Sequence, residues 1–210
     1  MPAKVDSTHM VTDGNISKLL LSPTARSLPA DQGYINLAEI IMPNFGYGIT
    51  DEIMVRGGFT PFTVSGHVLY FGSAQLQVAN YGDMDISGGA ILTNFTGSGR
   101  GWESALYGYA IVSYGDEIAA LHGGFGGGYS SKKESSSAVF MLGAEWRISK
   151  SAKLVSENWI ISETGASVFS LGIRVIGTTL IGELGGAILT SGTPIKIESI
   201  VPWIGITLEL

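Results

Sequence analysis

Apolar residues recur at every second position along most of this chain. Ala138, Phe140, Leu142, Ala144, Trp146 and Ile148 alternate with Val139, Met141, Gly143, Glu145 and Arg147. Phe169, Leu171, Ile173 and Val175 alternate with Ser170, Gly172 and Arg174. Leu180, Gly182, Leu184, Gly186 and Ile188 alternate with Ile181, Glu183, Gly185 and Ala187. A period of two sends successive side chains to opposite faces of an extended strand. One face is almost wholly apolar, and the other mixes small, polar and charged residues. The glycines and β-branched residues also disfavour helix. The pattern predicts about twelve strands, near 17–24, 34–49, 52–62, 66–81, 84–95, 102–114, 118–130, 137–149, 153–162, 166–177, 179–190 and 195–210. The second contains Pro43, which requires a bulge or a place beyond the hydrogen-bonded rim.

The connections alternate in length. Short ones fall at Thr50-Asp51-Glu52, Gly82-Asp83, Gly115-Asp116-Glu117, Lys150-Ser151-Ala152 and Thr178-Thr179. Longer polar ones fall between them, over 26–33, 63–65, 96–101, 131–136, 163–165 and 191–194. In an up-and-down meander this puts tight turns at one end and loops at the other, which is the pattern of a transmembrane β-barrel. A soluble barrel or sandwich would turn its apolar face inward. It would also carry more surface charge than this chain, whose charged residues are 14% against about 25% in ordinary soluble domains. Aromatics sit near strand ends, as interfacial girdles require: Tyr34, Tyr47, Phe62, Tyr81, Trp102, Tyr114, Tyr129, Trp146 and Trp203. The expected fold is therefore all-β, a transmembrane antiparallel barrel of about twelve strands over 17–210. Both termini lie at the short-turn end, the periplasmic side of a bacterial outer membrane. Residues 1–16 are expected to be a disordered or appended tail without the basic-then-apolar order of an export signal.

Ser22-Pro-Thr-Ala-Arg-Ser-Leu28 with Gly33-Tyr34-Ile35, Tyr47-Gly-Ile-Thr-Asp-Glu-Ile53 and Leu154-Val-Ser-Glu-Asn-Trp159 resemble segments of a group of porin-like bacterial outer-membrane β-barrel proteins. The resemblance covers most of residues 20–210. It implies an outer-membrane location and names no substrate. The last strand alternates Ile204, Ile206, Leu208 and Leu210, similar to the signal read by the barrel-insertion machinery. The lipid bilayer, that machinery and small polar solutes are the partners the resemblance implies.

The net charge of −6 argues against a nucleic-acid partner. The absence of cysteine removes thiol chemistry and disulfides. No cofactor is expected: the three histidines lack metal-ligand spacing, and Gly123-Gly-Phe-Gly-Gly-Gly-Tyr129 lacks the ending of a phosphate loop. Small residues there instead suit sharp strand coiling or give room for neighbours to cross the lumen.

Following the alternation inward, the lumen receives Arg56, Gln75, Gln77, Glu103, His122, Glu145, Arg147, Glu157, Arg174 and Glu183. Five of these, from Glu145 to Glu183, lie on four consecutive strands. Pairing of Arg147 and Arg174 with Glu145, Glu157 and Glu183 is expected, with Glu157 placed to bridge both arginines. Such a network either fills the barrel and pins its register or lines a polar, weakly selective pathway. The expected function is a non-enzymatic outer-membrane barrel, either a narrow pore for small solutes or a barrel with a filled lumen. Two other classes remain open: a barrel-embedded lipid hydrolase using His67 (with Ser65) or His122, and a soluble all-β binding module.

Overall fold

The structure is a computed structural model that describes residues 10–39, 42–60, 67–97, 100–130, 136–162, 165–191 and 196–210. Twelve strands form one closed antiparallel barrel: β1 (Gly33–Ala38), β2 (Met42–Gly48), β3 (Ile53–Phe59), β4 (His67–Tyr81), β5 (Met84–Gly97), β6 (Arg100–Gly115), β7 (Ala119–Ser130), β8 (Ser136–Ser149), β9 (Ala152–Ile161), β10 (Ala166–Ile176), β11 (Leu180–Ser191) and β12 (Lys196–Glu209). Each strand pairs with its chain neighbours, and β1 closes the ring against β12, from Tyr34 opposite Glu209 to Ala38 opposite Gly205. Closure removes the unpaired edges that an open sheet would expose.

The alternation reads out as two faces. Phe140, Leu142, Leu171, Ile173 and Leu184 are exposed on the outside of the wall, while Glu145, Arg147, Glu157, Arg174 and Glu183 are buried inside. Tight turns occupy one end, where local hydrogen bonding fixes them. In the turn after β6 the Asp116 carboxylate accepts the N–H groups of Ile118 and Ala119 at 2.8 and 2.9 Å. The Ala119 N–H leads the interactions that hold this carboxyl below its usual range. Gly82 and Gly115 adopt positive φ (67° and 124°) at two of these turns, a conformation that glycine takes without steric cost.

The strand count agrees with the sequence pattern, but through two compensating differences. The stretch 34–49 is not one strand: the chain reverses after Ala38, with Glu39 at φ 53°, and returns as β2. Pro43 lies on β2 opposite Leu37 of β1, before the ladder to β3 begins at Asn44, so its missing N–H interrupts no β2–β3 pairing. The stretch 17–24 is not a wall strand. It carries Leu19, Leu20 and Leu21 in succession, a run without period two, and it lies inside the barrel.

Residues 10–32 enter the lumen from the short-turn end as a hairpin, here termed the finger. The Val11 N–H donates to Lys150 O at 3.3 Å, just inside that end. The finger rises to a tip at Leu21–Ser22 and returns to Gly33. Lys18 bridges Pro23, the Leu19 N–H donates to Ser22 O (2.9 Å), and the Thr24 N–H donates to Ser17 O (2.9 Å). The described part of the expected 1–16 tail, from Met10 onward, thus belongs to the packed interior, with Asp13 and Asn15 fully buried. Residues 1–9 lie outside the described residues.

The aromatic assignment divides in the same way. Tyr47, Tyr81, Tyr114, Tyr129 and Trp146 are exposed on the outer face, whereas Tyr34 and Trp203 are buried in the lumen, where the finger needs neighbours. Phe62 and the Trp102 side chain lie outside the described residues.

Leu19 sits against Gly143 of β8, where an added methyl would overlap its side chain. Gly143→Ala should therefore loosen the finger while leaving the strand ladder intact. The check is faster hydrogen exchange at the Leu19 and Thr24 amides with unchanged exchange in β8.

A finger held in the lumen as the candidate functional site

Neighbouring inward positions on a strand are two residues apart, or about 7 Å. Long side chains on adjacent strands therefore meet only when register brings them to similar heights. Register does this for Arg174 on β10 and Glu183 on β11, which face each other directly. Arg174 Nε donates to Glu183 Oε1 at 2.8 Å, and Nη1 donates to Glu145 Oε1 at 2.8 Å and to Asp13 Oδ2 at 3.0 Å. Nη2 donates to the finger carbonyls of Lys18 (3.1 Å) and Leu19 (2.7 Å). Lys153 of β9 places Nζ 2.8 Å from Asp13 Oδ2, and Lys18 of the finger places Nζ 3.4 Å from Glu183. Three carboxylates (Asp13, Glu145, Glu183) thus meet three cations (Lys18, Lys153, Arg174), two of the six carried by the finger. Burial alone would push the Asp13 carboxyl up, but the Arg174 and Lys153 charges more than offset this and hold it well below the carboxylate range.

Glu157 does not bridge the arginines. It lies opposite Ser170, four residues along β10 from Arg174, or about 13 Å. One of its oxygens accepts the Leu21 and Ser22 N–H groups at the finger tip (2.9 and 3.0 Å), and the other accepts Trp159 Nε1–H at 2.7 Å. Nor does Arg147 join the carboxylate cluster. It donates to the carbonyls of Val11, Lys150 and Glu117 at the short-turn end. Alternation reports the face of a residue but not its height, which explains both differences.

The remaining polar positions grip the returning limb of the finger. Gln75 Nε2 donates to Thr24 O at 3.0 Å, and Gln77 Oε1 accepts the Ser27 N–H at 2.9 Å. Arg56 donates to Gln75 Oε1 at 3.0 Å. Asp85, two residues beyond the Gly82-Asp83 turn and absent from the expected lumen residues, accepts from Arg26 (3.2 Å), Gln77 (2.9 Å) and Asn80. Lys153 shares its face with Val155 and Glu157, so parity could have found it. Asp13 and Lys18 belong to no strand, and face arithmetic does not reach them. The Glu103 side chain lies outside the described residues.

His122 acquires a neighbour that the sequence did not offer. Ser113 faces it across the β6–β7 ladder, and its Oγ lies 2.7 Å from His122 Nδ1. His122 Nε2 is 3.8 Å from Glu145 Oε2. The Ser113 Oγ also accepts the Ala25 N–H of the finger at 2.8 Å, which covers it. Ser65 and the His67 side chain lie outside the described residues.

The fold defines a class, the porin-like β-barrel. The KdgM porin in complex with disordered oligogalacturonate aligns with a TM-score of 0.63, covering 84% of this chain and 96% of that one at 6% identity. The KdgM porin by itself gives 0.62 with the same coverage and 7% identity. The anion-selective porin from Comamonas acidovorans gives 0.46 at 12% identity, over 80% of this chain and 59% of that one. No protein-family model matches the chain, and no curated protein matches it in sequence.

Two outcomes are expected from this geometry. Arg174→Lys removes the planar fork that serves three carboxylates and the finger carbonyls at once, and a lysine cannot restore it, so finger docking should weaken. Asp13→Asn leaves buried cations undercompensated, which should weaken finger docking by about 3–5 kcal/mol. Hydrogen exchange across residues 13–27 measures both. Because the Asp13 carboxyl is depressed, its contribution is fully present above about pH 4, its unfolded value. It is lost as pH falls further toward the folded-state value. The finger of the unmodified protein should therefore stay protected at pH 5, whereas Asp13→Asn should leave it loose at every pH.

Proposed function

We propose that this protein is an outer-membrane barrel that its own N-terminal finger keeps closed, and that it acts as a gated narrow pore for small solutes and not as an enzyme. The observation that carries the reading is the finger seated in the lumen by six buried charges. Bilayer insertion is supported by the exposed Leu, Ile, Val and Phe of the outer wall and by aromatics at strand ends. Ile204, Ile206 and Leu208 are exposed along the outer face of β12, with Leu210 exposed just beyond it, the side that insertion machinery would meet. The KdgM porin is described in complex with disordered oligogalacturonate. In this chain the finger occupies the short-turn half of the lumen and leaves beside Lys18 and Arg56 a cavity of only about 70 Å³, too small for a polymer of that kind while the finger is seated. The hydrolase alternative draws support from Ser113 beside His122, but the Ala25 N–H occupies the serine oxygen that a substrate would need to approach.

Ion conductance across a planar bilayer tests the closure. The unmodified barrel should be nearly silent, and Asp13→Ala should conduct. Because the chain has no cysteine, Leu19→Cys with Gly143→Cys can pin the finger by a disulfide. Combined with Asp13→Ala, this pair should be silent when oxidised and conduct once reduced. Steady conductance of the oxidised form, equal to that of Asp13→Ala alone, would defeat the reading.

Insertion is tested separately. Leu171→Arg should cost about 2–4 kcal/mol of barrel stability in lipid if the position lies near the bilayer midplane, measured by urea unfolding in vesicles. A negligible effect there would argue against a lipid-facing outer wall.

A further inference from the structure

The finger does not fill the lumen along its whole length. Its tip stops where Glu157 takes the Leu21 and Ser22 N–H groups, near mid-barrel. Toward the loop end lies a cavity of about 320 Å³. Ser22 and Pro23 of the finger form its floor, and Ile91, Tyr107, Val139, Met141, Trp159 and Ile161 contribute to its walls. Among the described residues, no charged side chain lines it. After His122, the inward positions of β7 are Gly124, Gly126 and Gly128, so this stretch of wall projects no side chain into the lumen. Tyr107 leans over Gly128, Ile111 and Met141 lean over Gly124, and Gly124 and Gly126 line the cavity themselves.

An aqueous pore is lined by polar groups, and the short-turn half of this lumen is. The described lining of the cavity carries no charge, and an ion entering it would lose hydration without a partner there. We infer that this cavity is a binding site for an uncharged, apolar molecule of about two-ring size. A cavity of ~150 Å³ with apolar walls already accepts a benzene, and this one has roughly twice that volume. Tyr107 and Trp159 offer ring faces and Met141 a polarisable sulfur, surfaces that favour a flat apolar guest. The inference rests on the seated finger, since Ser22 and Pro23 are the floor. Glu157 joins the two, holding the finger tip with one oxygen and orienting Trp159 with the other.

Trp159 supplies the reporter. The full-length protein in lipid nanodiscs is titrated with 1-bromonaphthalene, whose bromine quenches indole fluorescence on contact. A saturable component of quenching should appear, and it should vanish in Trp159→Phe. In Ile91→Phe with Val139→Phe, which fills the cavity, binding should weaken by about tenfold or more, with the circular dichroism of the barrel unchanged. Naphthalene-1,5-disulfonate, with the same rings and two charges, should produce no saturable quenching. Quenching that only rises linearly with the amount in the bilayer, and is equal in Trp159→Phe, would overturn the site. So would equal binding of the disulfonate. A barrel that conducts with its finger pinned yet keeps saturable quenching would overturn the closed-pore reading and leave this site standing. A silent barrel with linear quenching would do the reverse.

Discussion

Arg174 is fully buried, and a guanidinium offers five N–H donors that must all find acceptors. The barrel wall alone supplies two carboxylates, Glu145 and Glu183. The finger supplies Asp13 and the carbonyls of Lys18 and Leu19. An arginine left half-served inside a closed barrel would be costly, so the charge that stabilises the finger also requires it. Much of the interior follows from this. Lys153 and Lys18 balance the added carboxylates, Gly143 makes room for Leu19, and Glu157 fastens the tip. Wall and finger are each incomplete without the other, which makes the lumen a two-part structure and not a tube with an obstruction.

The lumen is consequently divided by height. Its short-turn half is polar and charged, satisfied by finger backbone and side chains. Toward the loop end lies the cavity whose described lining is free of charge, with Gly124 and Gly126 of β7 in its wall. Along the described wall, the uncharged cavity lies on the loop side of the finger tip and the charged layer on the short-turn side.

Much of this architecture was legible in the sequence because a barrel wall is governed by one local rule. Period two separated Leu142 and Leu171 from Glu145 and Arg174, and the alternation of turn and loop lengths gave the meander and its two ends. The reversal at Glu39 was hidden because residues on both sides of it continue to look like strand. The site was legible only as a list of inward residues. Which of them touch depends on height and register, and so Glu157 was paired with the wrong partners and Ser113 was not paired with His122. The finger was illegible for a deeper reason. Its residues satisfy no periodicity of their own, and their leucines and charges match the far wall of a cavity that does not exist until twelve strands have closed.

The finger is a hairpin whose two limbs pass through the same opening: Val11 lies beside Lys150, and Gln32 leads directly into β1. Among the described residues, no segment is threaded from one end of the barrel to the other. Topologically, the closed β1–β12 seam and the inserted finger are unlinked, as a bent wire is from a ring it has merely been pushed into. The seam can therefore zip shut with the finger outside, and the finger can dock afterwards without any strand reopening. The order of the two events is left to kinetics and is not dictated by the connectivity of the chain.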